Sequence, residues 1–266
     1  MRMAWLYQLP SPLLGGLIIA MFVGGAAGGL WLTRLIVKPP AIAHNDLAGF
    51  LYGVIGVIYA VLLGMTAVAA WDDYQSIKRT TILEANALQN LVHGLAAHPE
   101  PQRSQLRETT ERYVRSVITD EWPAMHRGES SPRTQETADL MIRTWVLLQP
   151  QSPGETVNLE RSLNQLHGFL DQRQLRLEAA HEGLDLLMWG VLLFGAALTI
   201  GFSFFFWAEN VALHLLMTCS LAALIAIVVY WIVIYDHPLW GNVRVSPAPF
   251  IRILTQLEAQ GAPGLQ

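Results

Sequence analysis

Apolar residues in this chain fall into four long runs, separated by polar stretches of very unequal length. The sharpest run covers residues 47–71, LAGFLYGVIGVIYAVLLGMTAVAAW, and contains no charged residue. Its length suits the roughly 20 apolar residues that cross a bilayer's hydrocarbon core. Asp46 precedes it and Asp72 and Asp73 follow it, so the depth of the helix is set by its flanks. Asp46 is placed to N-cap the helix and to meet the positive end of its dipole. Trp71 suits the headgroup region at the other end.

The other runs arrange themselves around this one. Residues 13–37 form a first span rich in small residues: Gly15, Gly16, Gly24, Gly25, Gly28 and Gly29. Small residues four apart let helices approach closely in lipid. The run exceeds the roughly 7–15 residues of a cleaved leader's apolar core, so an uncleaved helix is expected. Pro39 and Pro40 stop it, and Arg34 can snorkel to the interface. Residues 184–207 and 211–235 are the third and fourth spans. Only Ala208, Glu209 and Asn210 join them, which requires an antiparallel hairpin. Asp236, His237 and Pro238 end the last helix.

Residues 72–183 are polar but keep helical periodicity. Ile77, Thr81, Leu88, Leu91 and Leu95 share a face with Glu84, so the second span is expected to continue past Asp73 into solvent. Glu84 on that stripe suits a register-setting role or partial exposure. A helix over residues 102–122 carries Leu106, Thr110, Tyr113 and Val117, and Pro123 closes it. Ser131-Pro132 starts another that runs to about Leu148. The capping box from Ser152 to Glu155 starts a fourth, with Leu159, Leu163, Leu166, Leu170 and Leu177 on one face. It meets no breaker before the third span, so continuation into the membrane is expected. Ser246-Pro247 opens one or two amphipathic turns in the tail.

The predicted fold is therefore all-α: an integral membrane protein with four transmembrane helices and a helical cytoplasmic domain inserted between the second and third. The expected divisions are 1–71, a first hairpin; 72–183, the helical domain; 184–240, a second hairpin; and 241–266, a cytoplasmic tail. Composition agrees, with 52% of the 266 residues hydrophobic and only 14% charged, where soluble proteins carry nearer a quarter charged. A net charge of −4 gives no reason to expect a nucleic-acid partner. The single cysteine, Cys219, excludes an intrachain disulfide and a thiolate zinc site. Four spans place both termini and the long polar region on one side. Arg2, Lys78, Arg79, Arg173, Arg176, Arg244 and Arg252 lie there against Arg34 and Lys38 opposite, which makes that side cytoplasmic.

Two sets of polar residues stand at the span ends. The outer connectors hold His44, Asn45, Asp46, Glu209, Asn210 and His214. Two histidines and two carboxylates suit a divalent metal, yet helix capping accounts for the same residues and is the preferred reading. No metal and no other cofactor is expected. The inner ends hold Asp72, Asp73, Asp236 and His237. In a ring of chains these would form carboxylate rings of the kind that concentrate cations; the plainer reading is that they set helix depth. No nucleotide-binding loop, HExxH or Gly-x-Ser-x-Gly is present, and His93, His98, His126, His167 and His181 lack paired ligand spacing, so no enzyme is expected.

HNDLAGFLYGVIGVIYAVLLG, EWPAM, the Ser-Pro that opens the third soluble helix, DHP followed by Gly, and VRVSP together form a specific set. With them the chain resembles the bestrophin-like family of bacterial membrane proteins, over about residues 44–247. The resemblance implies kinship with bestrophins: pentameric chloride channels with four spans, cytoplasmic termini, a helical cytoplasmic body and a pore lined by the second span. The expectation is a homo-oligomeric anion channel in the bacterial inner membrane, whose partners are other copies of itself, the lipid bilayer and the permeating inorganic ion. Phe50, Tyr59 and Leu63 are the candidate pore or gate residues, since a hydrophobic constriction gates by dewetting. Asp46, Asp72 and Asp73 favour a cation channel if they face the pore. A non-conducting scaffold or sensor that binds a cytoplasmic partner is the alternative from another class. A metal enzyme built on His44, Asp46, Glu209 and His214 is a third.

Overall fold

The computed structural model describes residues 9–37, 45–180, 183–206 and 208–261. His44, His181, Arg2, Lys38, Pro39 and Pro40 lie outside the described residues, as do Trp5, Tyr7 and Trp207. All regular structure among the described residues is helical: α1 Ser11–Ile36, α2 Asn45–Gly94, α3 Gln102–Ser116, α4 Trp122–Met125, α5 Pro132–Val146, α6 Pro153–Ala179, α7 Leu186–Ser203, α8 Val211–Asp236 and α9 Ala248–Gly261. A π-helical segment, Val117–Glu121, joins α3 to α4. Among the described residues, α1, α2, α7 and α8 are long and apolar enough to cross a bilayer.

The chain divides into two compact units. The first comprises Met1–Asp73 and Gly183–Asp236. Its core joins Ala26, Tyr59, Leu63, Ala70, Leu192, Ala196, Ile200, Ala222, Ile225, Val229 and Ile232. Aromatic rings seat on glycine backbone, where any side chain would collide. A Cβ on Gly195 would lie 2.5 Å from the Tyr59 ring, and one on Gly29 would lie 2.6 Å from Phe204. α1 runs antiparallel to α8, because Ser11 accepts from the Tyr230 hydroxyl at 3.0 Å while Arg34 reaches His214 at the other end. Tyr52 stacks on Phe202 of α7, and Trp71 meets Trp231 and Tyr235 of α8, so the second span neighbours the third near its start and the fourth at its end. A Cβ on Gly16, Gly24, Gly25 or Gly28 of α1, or on Gly53, Gly56 or Gly64 of α2, would meet no neighbouring element within 4 Å. Most of the small-residue motif is therefore unused inside the protomer.

The second unit comprises Tyr74–Glu182 and His237–Gln266. α2 passes Asp72 and Asp73 without a break, as its periodicity predicted, and buries Thr81, Glu84, Leu88 and Leu91. Ser131 accepts from the Thr134 amide at 3.2 Å and Ser152 from the Glu155 amide at 3.3 Å, so both caps form as the sequence indicates. Three expectations are corrected. α6 ends at Ala179 and α7 starts afresh at Leu186, so the two are not one continuous helix. The buried face of α6 runs through Ser162, Leu166, Phe169, Arg173 and Arg176 rather than along the leucine stripe. The tail's amphipathic segment is the 14-residue α9, whose Phe250, Ile253 and Leu257 are buried. On α6 the arginine stems are apolar and the buried charges are paired, which lets Arg173 and Arg176 occupy the inward face.

Gly128 has φ +70° and closes the turn after α4, where the Trp240 ring lies 2.5 Å from any Cβ. Left-handed backbone without that penalty requires glycine. Gly128→Ala is expected to lower the stability of this unit by about 1–3 kcal/mol, measured as a fall in the unfolding midpoint of the purified protein; an unchanged midpoint would contradict the packing described.

Candidate functional site

The most concentrated polar structure is buried in the second unit, around Arg176. Its guanidinium is 0% exposed and lies between two carboxylates from different elements. Nε donates to Glu84 at 2.6 Å, and Nη2 donates to Glu84 at 2.9 Å and to Glu121 at 2.7 Å. Arg173, one turn earlier on α6, donates to the other Glu121 oxygen at 2.9 Å and to Gln135 at 3.1 Å. The Arg176 plane lies 4.9 Å from the centroid of Trp122 and 5.8 Å from that of Phe250, where ring faces attract a cation. Two carboxylates and two guanidinium groups balance, so the cluster is neutral as a set. Burial pushes the Glu84 carboxyl above its ordinary range, and this outweighs the opposing pull of Arg176.

Local sequence explains how Glu121 reaches this place. Pro123 has no N–H and its ring crowds the carbonyl four residues back. The preceding turn widens, and the Trp122 amide bonds to Val117, five residues back. The π-turn carries Glu121 inward to 1% exposure and Trp122 beside it. Trp122 then donates to the Val245 carbonyl at 3.1 Å, Val245 donates to Pro238 at 2.9 Å, and Trp240 donates to Ala180 at 3.0 Å. Glu121, Trp122 and Met125 of EWPAM thus touch Arg176, and hydrogen bonds tie Trp122 to Val245 of VRVSP and Val245 to Pro238 of DHP. Arg173 and Arg176, counted from sequence as markers of the cytoplasmic side, are ion-paired inside the protein and carry no such vote. Pro123 does not end the helix at Trp122, which continues to Met125.

The outer set is partly rearranged. Asn210 accepts from the Leu213 amide at 3.1 Å, a cap on α8. His214 is 5% exposed; its Nδ1 lies 2.9 Å from Arg34 Nη2 and its Nε2 lies 3.0 Å from the Ser203 carbonyl. With arginine as the donor, Nδ1 accepts and Nε2–H donates. Arg34 also donates to the Ala208 carbonyl at 3.0 Å, so it binds the α7–α8 turn instead of snorkelling. Asn45 and Asp46 lie in the first turn of α2, and Asp46 and Glu209 are exposed. Among the described residues no group of three or more His, Cys, Asp or Glu is placed to hold a metal. Two polar groups at one depth, Arg34 and His214, were the signal for this pair.

At the other end Asp236 accepts from the Leu184 amide at 2.6 Å and is buried, while Asp72 and Asp73 are exposed. His237 stacks on Trp240 at 4.0 Å. Of the three gate candidates, Phe50 is 71% exposed, whereas Tyr59 and Leu63 are 6% and 7% exposed within the protomer core.

The bestrophin-like domain profile matches residues 20–250. The chain belongs to the bestrophin-like family. No curated protein matches its sequence. Solved structures share its fold. A variant of a bacterial bestrophin homologue from Klebsiella pneumoniae aligns with TM-score 0.66 at 12% identity, over 95% of this chain and 98% of that one. Another variant of that protein aligns with TM-score 0.66 at 11% identity, over 94% and 99%. A crystal structure described as a membrane protein aligns with TM-score 0.69 at 11% identity, over 92% and 97%.

Arg176→Met leaves Glu84 buried without its cation and Glu121 with Arg173 alone, and is expected to cost about 3–5 kcal/mol. Adding Glu84→Gln should recover part of that loss, read as a positive coupling in a double-mutant unfolding cycle; strictly additive losses would mean the pair is not coupled. His126 is held down to about 4 by burial, with Arg244 and Arg127 adding repulsion. Its folded pKa lies below its unfolded value, so its contribution to stability is present above about pH 6.5 and fades as pH falls towards 4. His126→Gln should flatten the unfolding midpoint against pH within that window, and an unchanged slope would assign the acid sensitivity to other groups.

Proposed function

We propose that this chain assembles as a ring of about five copies into an ion channel of the bacterial inner membrane, with α2 lining the pore. The second unit and both termini lie in the cytoplasm. Lys78, Arg79, Arg244 and Arg252 support that orientation once Arg173 and Arg176 are set aside. Kinship with bestrophins supports a channel, and four glycines of α1 with three of α2 that meet nothing in the protomer suit close contact with neighbouring copies.

One observation carries the choice of pore face. Opposite the buried Tyr59, Leu63, Thr66 and Ala70, α2 turns outward a stripe of Phe50, Val57, Val61 and Val68, between 56% and 71% exposed. Asp46 and Asp72 stand at its two ends, both exposed. An apolar neck with charge at each mouth is the layout of a hydrophobic gate. Tyr59 and Leu63 serve packing in this reading, and Phe50, Val57 and Val61 take the gate. The kinship favours chloride. The second reading, a cation pore of the same architecture, is favoured by Asp46 and Asp72 on that stripe, because rings of carboxylate select cations.

Purified protein in planar bilayers should pass current, and Phe50→Ala or Val61→Ala should raise unit conductance by widening the neck. The reversal potential in a salt gradient distinguishes anion from cation. Absence of current under every ionic condition, or a monomer or dimer by particle symmetry, overturns the proposal.

A further inference from the structure

We infer that the second unit contains a ligand site of its own: a polar cleft between α2 and α6 that takes a small multivalent oxyanion, a phosphate or a di- or tricarboxylate. The cleft is open to solvent, with Asn90, His93 and Arg161 exposed and Ser162 buried at its floor, and its volume is about 410 Å³. Asn90 and His93 line it from α2, and Asn158, Arg161, Ser162 and Gln165 line it from α6. Those α6 positions recur at three, four and seven residues, so one helix face presents them together. Gly94 faces Ser162, whose hydroxyl would lie 3.3 Å from any Cβ on that glycine. An Asn90–Gln165 hydrogen bond of 3.2 Å spans the cleft.

The lining decides the charge of the ligand. No aspartate or glutamate faces the cleft. Arg161 forms no ion pair among the described residues, whereas Arg103, Arg112 and Arg115 of the same unit each pair with a glutamate within four residues. The guanidinium offers five donors, Asn158 and Gln165 offer two each, Asn90 keeps one beside its bond to Gln165, and Ser162 and His93 add one apiece. A forked cation with convergent neutral donors matches an anion that has several oxygens. A monatomic halide would leave most of those donors unused. The site does not depend on whether the chain conducts ions, so its test and the channel test fail separately.

The test is thermal unfolding of the full-length protein in detergent, titrated with sodium phosphate or sodium citrate against sodium chloride at equal ionic strength. Dihexanoyl phosphatidic acid forms a separate arm. Phosphate or citrate should raise Tm along a saturating curve that chloride does not reproduce. Arg161→Ala should weaken the apparent affinity by about tenfold or more, the loss expected for a charge-assisted hydrogen bond, while leaving the unliganded Tm in place. Arg112→Ala, which lies outside the cleft, should respond like the parent. A non-saturating rise shared by Arg161→Ala overturns the site, as does no rise at all. A response to the lipid with none to phosphate or citrate overturns the free-oxyanion assignment.

Discussion

A guanidinium with no access to water must have its charge met inside the protein, and this requirement organises the second unit. Arg176 needs Glu84 from α2 and Glu121 from the π-turn at the same time. Taking those charges out of water is costly, and only good geometry with full hydrogen bonding offsets it. The cluster has that geometry: two bonds to Glu84, one to Glu121, and aromatic faces from Trp122 and Phe250. Its worth lies less in net stability than in register. A slip of α2 by one residue would take Glu84 out of reach of Arg176 and leave a buried carboxylate without its partner, while Glu121 kept both arginines. The part of α2 beyond Asp73 is therefore held in rotation about its axis by a charge constraint.

In the first unit α2 carries an apolar stripe. There the constraint is steric. Tyr59 seats on bare backbone at Gly195, and Phe204 seats on Gly29. The Tyr59 contact turns one face of α2 inward and leaves Phe50, Val57, Val61 and Val68 outward. Each candidate membrane span buries only about a fifth to a third of its most apolar window, so lipid or neighbouring copies must cover the remainder. Hydrophobicity alone gives a membrane helix no preferred partner face. Glycine–ring contacts and the Arg34–His214 pair supply one.

Much of the architecture was legible because its causes are local. Charge-free runs of bilayer length, prolines at Pro132, Pro153 and Pro238, and serines at Ser131 and Ser152 act through neighbouring backbone, and the structure follows them closely. The α6 stripe was misread because it assumed that only apolar residues are buried. Ser162, Arg173 and Arg176 hold the buried face instead. The extent of α9 was underestimated because Phe250, Ile253 and Leu257 find their cover in distant segments. EWPAM, DHP and VRVSP were visible as a set, but nothing in their spacing told of the hydrogen bonds that link them.

Sequence alone determined that this chain is helical, that four of its segments suit a bilayer, and that the second continues well past its apolar part. Those features arise from hydrophobic thickness, helix periodicity and backbone capping, all of which act within a few turns. Tertiary structure decided which face of each helix is inward. It matched Glu84 to Arg176, Arg34 to His214 and Tyr59 to Gly195, pairs more than ninety residues apart in the chain. Such pairing depends on which surfaces meet after the helices form, and no local pattern encodes it.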